Sequence, residues 1–189
     1  TTTPNTTKLT RILLMLVILL MGAMSVDAQN DSSHVAIIEV DGTITPAMAS
    51  YVRQSVAEAE NNGAEAMVLR IDAAGGLSTA MDDIVTYVLE SDIPVIAWVG
   101  PGNARAASAG VYITYAAHIA AMAPGTNIGS ASPVAADGSE MTETMEDKVI
   151  NDAVARIRNL AQLRDRNEEW AVSAVRDAEN ITSSEALEL

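Results

Sequence analysis

The chain alternates between two hydrophobic patterns, short apolar runs and longer amphipathic stretches. The short runs are rich in Val and Ile and are bounded by Gly, Pro or Asp, which is typical of buried strands. The longer stretches carry apolar residues three or four positions apart, which predicts helices. The predicted strands are residues 35–40, 66–72, 94–100 and the first part of 119–130. The predicted helices are residues 46–63, 78–92 (with Ser78 as its cap), a short helix after Ser108, about 144–164 and about 168–178, with a loop at 133–143.

Strand and helix patterns alternate along residues 35–189, which predicts one α/β domain. The predicted strands lack a polar face, so they favour a mostly parallel sheet covered on both faces by helices. Active sites in such sheets lie at the carboxyl ends of the strands. Two segments follow predicted strands there, DAAGG at 72–76 and GPGNARAASAG at 100–110. Candidate catalytic residues are therefore expected in these two segments.

The first 28 residues carry the pattern of a secretory signal. Lys8 and Arg11 precede an uninterrupted apolar run at 12–24, and a small-x-small tripeptide ends at Ala28. The run of 13 residues is shorter than the roughly 20 needed to span a bilayer. We expect cleavage after Ala28, a short linker at 29–34 and export of the remaining domain, with an uncleaved anchor as the alternative.

Composition and charge narrow the classes of function. The net charge of −14 argues against nucleic acid as a partner, because the phosphate backbone requires a basic face. Cysteine is absent, so disulfides and thiolate metal sites are not available. Phenylalanine is absent too, and we expect a core of Ala, Val, Ile, Leu and Met. Neither a metal nor a cofactor is expected.

Ser108 and a glycine pair are the first candidates for chemistry. Ser108 stands among small residues in ARAASAG, either as an accessible nucleophile or as part of a tightly packed helix start. Gly75 and Gly76 follow a predicted strand, and glycine permits backbone conformations that turn N–H groups into a cleft. Such donors could hold the oxyanion of an acyl-transfer reaction, or the pair could simply form a strand-to-helix turn. The pair alone favours the turn.

A serine nucleophile needs a base, and the chain beyond residue 28 offers two histidines and one lysine. His34 precedes the first predicted strand, and His118 stands at the mouth of a later one, where a structural role is more common than a catalytic one. Lys148 differs because a lysine can release its proton when desolvated, whereas an arginine cannot. Asp152 lies four residues on, so a surface ion pair with Lys148 is the alternative. These residues alone leave both interpretations of Lys148 open.

Two motifs carry a family resemblance. ASAG-x-Y-I at 107–113 is followed by A-x-x-I-x-A-M-A-P-G-T-x-I-G-S-x-x-P at 116–133. This segment resembles the ClpP-class membrane-bound serine proteases of the NfeD family, which are relatives of signal peptide peptidase A. The resemblance extends over about 34–189 and implies a ClpP/crotonase-like fold, a Ser–Lys dyad and no cofactor.

The resemblance implies a role for five positions. Ser108 matches the nucleophile, and Lys148 matches the general base. Gly75 and Gly76 match the oxyanion turn, and the amide of Ala109 is the second expected donor. Together these residues imply a serine endopeptidase.

This chain departs from the family pattern near both glycines and near the serine. Ala73 and Ala74 stand where the family usually has Thr-Pro or Ser-Pro, and the loss of proline relaxes the turn. Arg105 stands where small residues are common and would narrow the approach to Ser108. Two alternatives stay open, a catalytically silent scaffold in a membrane complex and a crotonase-type acyl-thioester enzyme with the same oxyanion device.

The resemblance also implies partners and a location. Substrates would be hydrophobic segments of membrane-associated proteins, including a stomatin-like partner, bound as an added strand in an apolar groove. A homo-oligomer is expected. Longer members continue into membrane spans and a small β-barrel domain, so we expect this chain to be a piece of an exported, membrane-associated protein acting on the extracytoplasmic side. Thr182 and Glu185 have the spacing of a capping box for a final helix.

Overall fold

The structure, a computed structural model, describes residues 33–135 and 139–189. Residues Ser33–Leu189 form one compact unit. The predicted signal peptide at 1–28, and the linker at 29–34 up to residue 32, lie outside the described residues. Within the part of the chain that the structure describes, no helix is long and apolar enough to cross a membrane.

Strands and helices alternate along the chain, as the hydrophobic pattern predicts. The strands are β1 (Val35–Ile44), β2 (Ala66–Gly76), β3 (Val95–Val99), β4 (Arg105–Ala107), β5 (Ile119–Met122), β6 (Asn127–Gly129) and β7 (Asn180–Thr182). The helices are α1 (Pro46–Asn61), α2 (Ser78–Glu90), α3 (Ala109–Ala116), α4 (Glu143–Leu163), α5 (Glu168–Arg176) and α6 (Ser183–Glu188).

The strands form one sheet that divides at β2. Its order is β5-β3-β2-β4-β6-β7, and β1 pairs along the other edge of β2. Residues 67–71 of β2 pair with β3, whereas Ala73, further along the same edge, pairs with Ala106 of β4. All pairs are parallel except that of β6 with β7. The predicted α/β class with a mostly parallel sheet is therefore observed.

Helix α3 lies at the centre of the core. All of its residues are buried, which is expected of a helix that is apolar on every side. Helix α1 covers the face of β1 that carries Ile38 and Val40, and both side chains are buried. On the opposite face of β1, Val35 and Ile37 are exposed. The expectation that helices cover both faces of the sheet is therefore wrong at this edge.

Three short strands are missing from the sequence prediction. Strands β4, β6 and β7 have three residues each, which is too short for a period of two to be visible. Strand β2 continues to Gly76 rather than ending at 72, because its last residues still pair with β1. The glycine pair therefore lies within a strand and not in a turn after it.

The helix caps test three further details of the sequence prediction. The first helix begins with Pro46, as predicted, and the Thr45 side chain accepts a hydrogen bond from Met48 N at 3.3 Å. The prediction that Ser78 caps the second helix is wrong, since Leu77 is the N-cap and makes no side-chain bond. The capping box of α6 is confirmed, with both of its reciprocal bonds between Thr182 and Glu185.

Candidate active site

Ser108 connects strand β4 to helix α3 in a strained backbone conformation. Its φ of 53° and ψ of −114° lie in a region that L-residues rarely adopt, at a cost of roughly 1–3 kcal/mol. Its N–H donates to the carbonyl O of Gly129 at 3.1 Å, which joins the turn to the end of β6. A sharp strand–serine–helix turn is the geometry that presents a nucleophilic hydroxyl in α/β hydrolases.

The Ser108 hydroxyl is not used to stabilise the helix that follows it. Ser108 is the N-cap of α3, where a serine usually accepts a bond from a helix amide, but its side chain makes no capping bond. The side chain is half-buried. Ala109 is the first residue of α3, so its N–H belongs to the first turn, where amides have no acceptor within the helix. A hydroxyl and a backbone donor are thus adjacent at the positive end of a helix.

Gly75 and Ser108 are in close contact. A Cβ added to Gly75 would lie 2.8 Å from Ser108 Cβ and 3.1 Å from its Oγ, so no larger residue fits without a shift. Gly75 also has a φ of 124°, which favours glycine. The structure therefore brings the predicted oxyanion glycine and the predicted nucleophile together.

Gly76 and the two alanines before the glycines have packing reasons of their own. A Cβ on Gly76 would collide with the carbonyl O of Ile44 at the end of β1. Ala73 is fully buried, and a Cβ on Gly110 of α3 would lie 3.8 Å from its methyl group. Ala74, in contrast, is exposed. Only the first alanine of this departure from the family pattern therefore packs under the helix that begins after Ser108.

Arg105 belongs to β4 and is exposed. Its backbone N–H donates to Asp72 Oδ1 at 3.1 Å, which ties the start of β4 to β2. Ala106, the next residue, is buried on the opposite face of the strand.

Lys148 lies in the second turn of α4 with an exposed side chain. Within residues 33–135 and 139–189 it makes no ion pair and no hydrogen bond, neither with Ser108 nor with Asp152. The surface ion pair between Lys148 and Asp152 that the spacing allows is therefore not formed. The turns of α4 that are buried begin only at Val154.

Residues of α4 and the residue that follows it act on two positions of α3. In the middle of α3, burial raises the pKa of Tyr112 to about 12, while Arg156 of α4 lowers it and Asp152 raises it through their charges. At the end of α3, Arg164 Nε donates to Ala116 O at 2.7 Å, directly after α4 ends. Successive positions of α4 thus act on successive positions of α3.

Neither histidine is in a position to serve Ser108. His118 Nδ1 accepts a hydrogen bond from Val95 N at 3.1 Å, and the backbone N–H of His118 donates to Val95 O at 2.9 Å. Burial, with smaller contributions from Arg164 and Arg166, lowers the pKa of His118. His34 precedes β1, at the amino end of the parallel strands and away from Ser108. The structural interpretation of His118 is confirmed.

Arg164 and Arg166 are the residues that the sequence analysis missed. Both guanidinium groups donate to backbone carbonyls at the end of α3. Their partners lie 48–52 residues away in the sequence, so the pattern around α4 and α5 gives no signal of the contact.

A mostly parallel sheet with a strained serine at the start of a buried helix defines a ClpP-like fold. ClpP1 from Listeria monocytogenes shares this fold, with a TM-score of 0.64 and 21% identity over 80% of this chain and 85% of that chain. Residues 34–187 match the family model described as NfeD1b, N-terminal domain. The chain belongs to this family, as its motifs predict.

The proteins that this chain is similar to include ones named as proteases. Membrane-bound protease PH1510 of Pyrococcus horikoshii is 36% identical over 179 residues, which is 94% of this chain and 40% of that protein. Two solved structures of the 1510-N membrane-bound stomatin-specific protease have TM-scores of 0.76 and 35% identity over 82% of this chain. One is a lysine-to-alanine mutant with a substrate peptide (72% of that chain is covered), and the other is a serine-to-alanine mutant (76%).

Proposed function

We propose that this chain is the catalytic domain of an exported, membrane-associated serine endopeptidase that uses a Ser–Lys dyad. Ser108 Oγ attacks the scissile carbonyl carbon while neutral Lys148 takes its proton. The carbonyl oxygen becomes an oxyanion, held by the amides of Gly75 and Ala109, with Gly76 next to them at the end of β2. Lys148 then protonates the leaving amine, and water attacks the acyl-enzyme by the reverse sequence.

The observation that carries this proposal is the contact of a strained serine with a glycine. Ser108 has a φ of 53° and a hydroxyl that caps no helix, and Gly75 lies close enough to exclude a methyl group. Structural roles do not require this combination, because a capping serine uses its hydroxyl and an ordinary turn avoids the strain. A nucleophilic serine next to backbone donors uses all three features: the strained turn, the unused hydroxyl and the close glycine.

The order in which positions of α4 act on positions of α3 supports Lys148 as the base. Asp152 of α4 acts on Tyr112 of α3, and Lys148 lies one turn before Asp152, as Ser108 lies one turn before Tyr112. This order of contacts supports a place for Lys148 toward the Ser108 end of α3. The mutated serine and lysine of the 1510-N structures agree with a mechanism built on these two residue types.

Burial favours the neutral form of a lysine, so catalysis requires that Lys148 be covered. Met145 is 53% exposed and lies three positions before Lys148, on the same face of α4. We propose that a bound apolar segment, or a second subunit, covers Met145 and Lys148 together. Leu77, which follows the glycine pair, is 45% exposed and offers a second apolar contact.

The proposed substrates are hydrophobic segments of membrane-associated proteins, including a stomatin-like partner. The relative solved as 1510-N is described as stomatin-specific, and its mutant binds a substrate peptide. The predicted signal at 1–28 supports export, and the name of PH1510 supports membrane association. A peptide would bind in an extended conformation beside the sheet, and assembly into a homo-oligomer belongs to the same proposal.

The test uses the whole protein with an apolar peptide and a serine-reactive fluorophosphonate. We expect labelling at Ser108, and a loss of cleavage of at least about 1,000-fold in Ser108→Ala. Lys148→Met and Lys148→Arg should lose a similar factor, because arginine cannot act as the base. Ser184→Ala and Arg53→Met, both at exposed positions, are the matched controls.

Two outcomes would overturn parts of the mechanism separately. Cleavage that survives in Ser108→Ala would reject the nucleophile. Full activity in Lys148→Arg would reject the dyad but keep the serine. The exposure of Lys148 also favours a second candidate, a catalytically silent scaffold, and absence of both cleavage and labelling in the wild-type protein would select it.

A further inference from the structure

The carboxyl end of α3 is held by two arginines that follow α4. Arg166 donates through Nη1 to Thr114 O at 2.8 Å and Tyr115 O at 2.6 Å, and through Nη2 to Ala117 O at 2.9 Å. Arg164 Nε donates to Ala116 O at 2.7 Å. A helix end leaves its last carbonyls without partners, and here four successive carbonyls each have a charged donor.

These two arginines have no carboxylate partner among the residues that the structure describes. Burial lowers the pKa of both guanidinium groups, yet arginine keeps its charge in proteins. Their positive charges therefore act on the negative end of α3. A charge that serves only solubility lies in water, whereas Arg164 and Arg166 are half-buried and both donate to one short helix.

Aromatic contacts fix Arg166 in this position. Its guanidinium carbon lies 5.6 Å from the centre of the Tyr115 ring, a cation–π contact. The Tyr115 ring also stacks on Trp170, with centroids 5.9 Å apart and planes at 26°. Asn167, the next residue after Arg166, caps α5 through its side chain, which accepts from Trp170 N at 2.8 Å. Arg166 is thus held from both sides while it holds α3.

The position of Ser108 depends on the position of α3 as a whole. The helix has 8 residues and is about 12 Å long at 1.5 Å per residue, so a shift at one end moves the other. Ser108 is already in contact with Gly75, and a strained backbone persists only where its surroundings hold it. Arg164 directly follows α4, the helix of Lys148, so both helices are fixed at a common end.

We propose that Arg166, assisted by Arg164, is a positioning residue that sets the place of the Ser108 hydroxyl by holding the far end of α3. This inference rests on the proposed protease function. A displacement of about 1 Å in a catalytic group can cost about 100-fold in rate, which gives the scale of the expected effect.

The test compares Arg166→Met with Arg166→Lys in the whole protein, using Arg158→Met as the matched control. Arg158 is an exposed arginine of α4 whose contact with Glu168 is 4.0 Å long. At a temperature where circular dichroism shows every variant fully folded, we expect kcat to fall about 10- to 100-fold in Arg166→Met with KM within twofold. Arg166→Lys should recover part of kcat, and Arg158→Met should match the wild type.

The rate of fluorophosphonate labelling at Ser108 should fall in parallel with kcat, while the shape of the pH profile stays unchanged because the base is untouched. A folded Arg166→Met with normal kcat, or with a raised KM alone, would overturn the positioning role. If Arg166→Met does not fold, Arg164→Met removes a single bond and decides by the same measurements. A wild-type protein that neither cleaves nor labels rejects the proposed function itself, which is a separate result.

Discussion

The two ends of helix α3 treat their polar groups in opposite ways. At the amino end, the Ser108 hydroxyl caps nothing, the Ala109 amide has no acceptor within the helix, and the backbone is strained. At the carboxyl end, the carbonyls accept charged hydrogen bonds from Arg164 and Arg166. The sheet pairing beyond that end is regular, and His118 exchanges two bonds with Val95.

Within this helix of 8 residues, the carboxyl end anchors the helix and the amino end carries the groups proposed for catalysis. The Ser108 hydroxyl makes no capping bond and the first amides of the helix have no acceptor within it, so these groups can bind a ligand. The strained backbone of Ser108 persists only because packing and the two arginines hold the rest of α3 in place. A change at the amino end should therefore affect activity more than stability, and a change at the carboxyl end should do so only through position.

The largest expected effect at the amino end is that of Gly75→Ala. The methyl group would displace Ser108, and alanine disfavours a φ of 124°, so we expect cleavage to fall by at least about 100-fold. The unfolding free energy should also decrease, as measured in urea. Gly63→Ala is the control, because Gly63 has a φ of 71° with nothing within 4 Å of an added Cβ. It should lose comparable stability and keep its activity; equal activity losses in both variants would remove the special status of Gly75.

A moderate effect is expected on stability when Ser108 itself is replaced. Both Ser108→Ala and Ser108→Gly should be inactive, but glycine relieves the strain at a φ of 53°. We expect Ser108→Gly to be more stable than Ser108→Ala by about 1 kcal/mol in urea unfolding. At Ser173, inside α5, the order should reverse, because glycine is unfavourable by about 1 kcal/mol within a helix. If the alanine variant is the more stable one at both positions, Ser108 is not strained.

The smallest effect concerns the pH dependence at His118, just beyond the carboxyl end. Its pKa is lower in the folded protein than the ordinary 6.5, so the folded state favours the neutral ring. Its contribution to stability is complete above about pH 6.5 and decreases as the pH falls toward the folded-state pKa. His118→Asn keeps an acceptor for Val95 N but does not titrate. The wild type should lose stability relative to this variant below pH 6.5; parallel curves would contradict the role of His118.

The two ends of α3 also differ in how far the sequence predicts them. Ser108 stands out because small residues surround it, and Lys148 stands out as a deprotonable side chain among arginines. The hydroxyl-bearing turn itself is invisible, since β4 is only three residues long. The glycines are recognisable in the sequence, but the reason that glycine is needed is not. Gly75 contacts Ser108 and Gly76 contacts Ile44, and both are tertiary contacts.

The arginines at the carboxyl end of α3 show most plainly which contacts the sequence does not predict. Arg164 ends a predicted helix and Arg166 follows it, and basic residues at such positions usually interact with that same helix. They bond instead to α3, because the fold brings the residues after α4 to the carboxyl end of α3. Local pattern carries the strands, the helices and the residue types of the site. Distances between segments far apart in the chain depend on packing, which hydrophobic periodicity does not encode.

The exposed position of Lys148 makes it a spectroscopic reporter. It is the one lysine of residues 29–189, so reductive ¹³C-methylation of that stretch adds one side-chain resonance besides that of the terminal amine. The chemical shift of this resonance follows the charge and surroundings of the amine directly. Titration with an apolar peptide would then show, without any turnover, whether the Lys148 amine leaves water when the peptide binds.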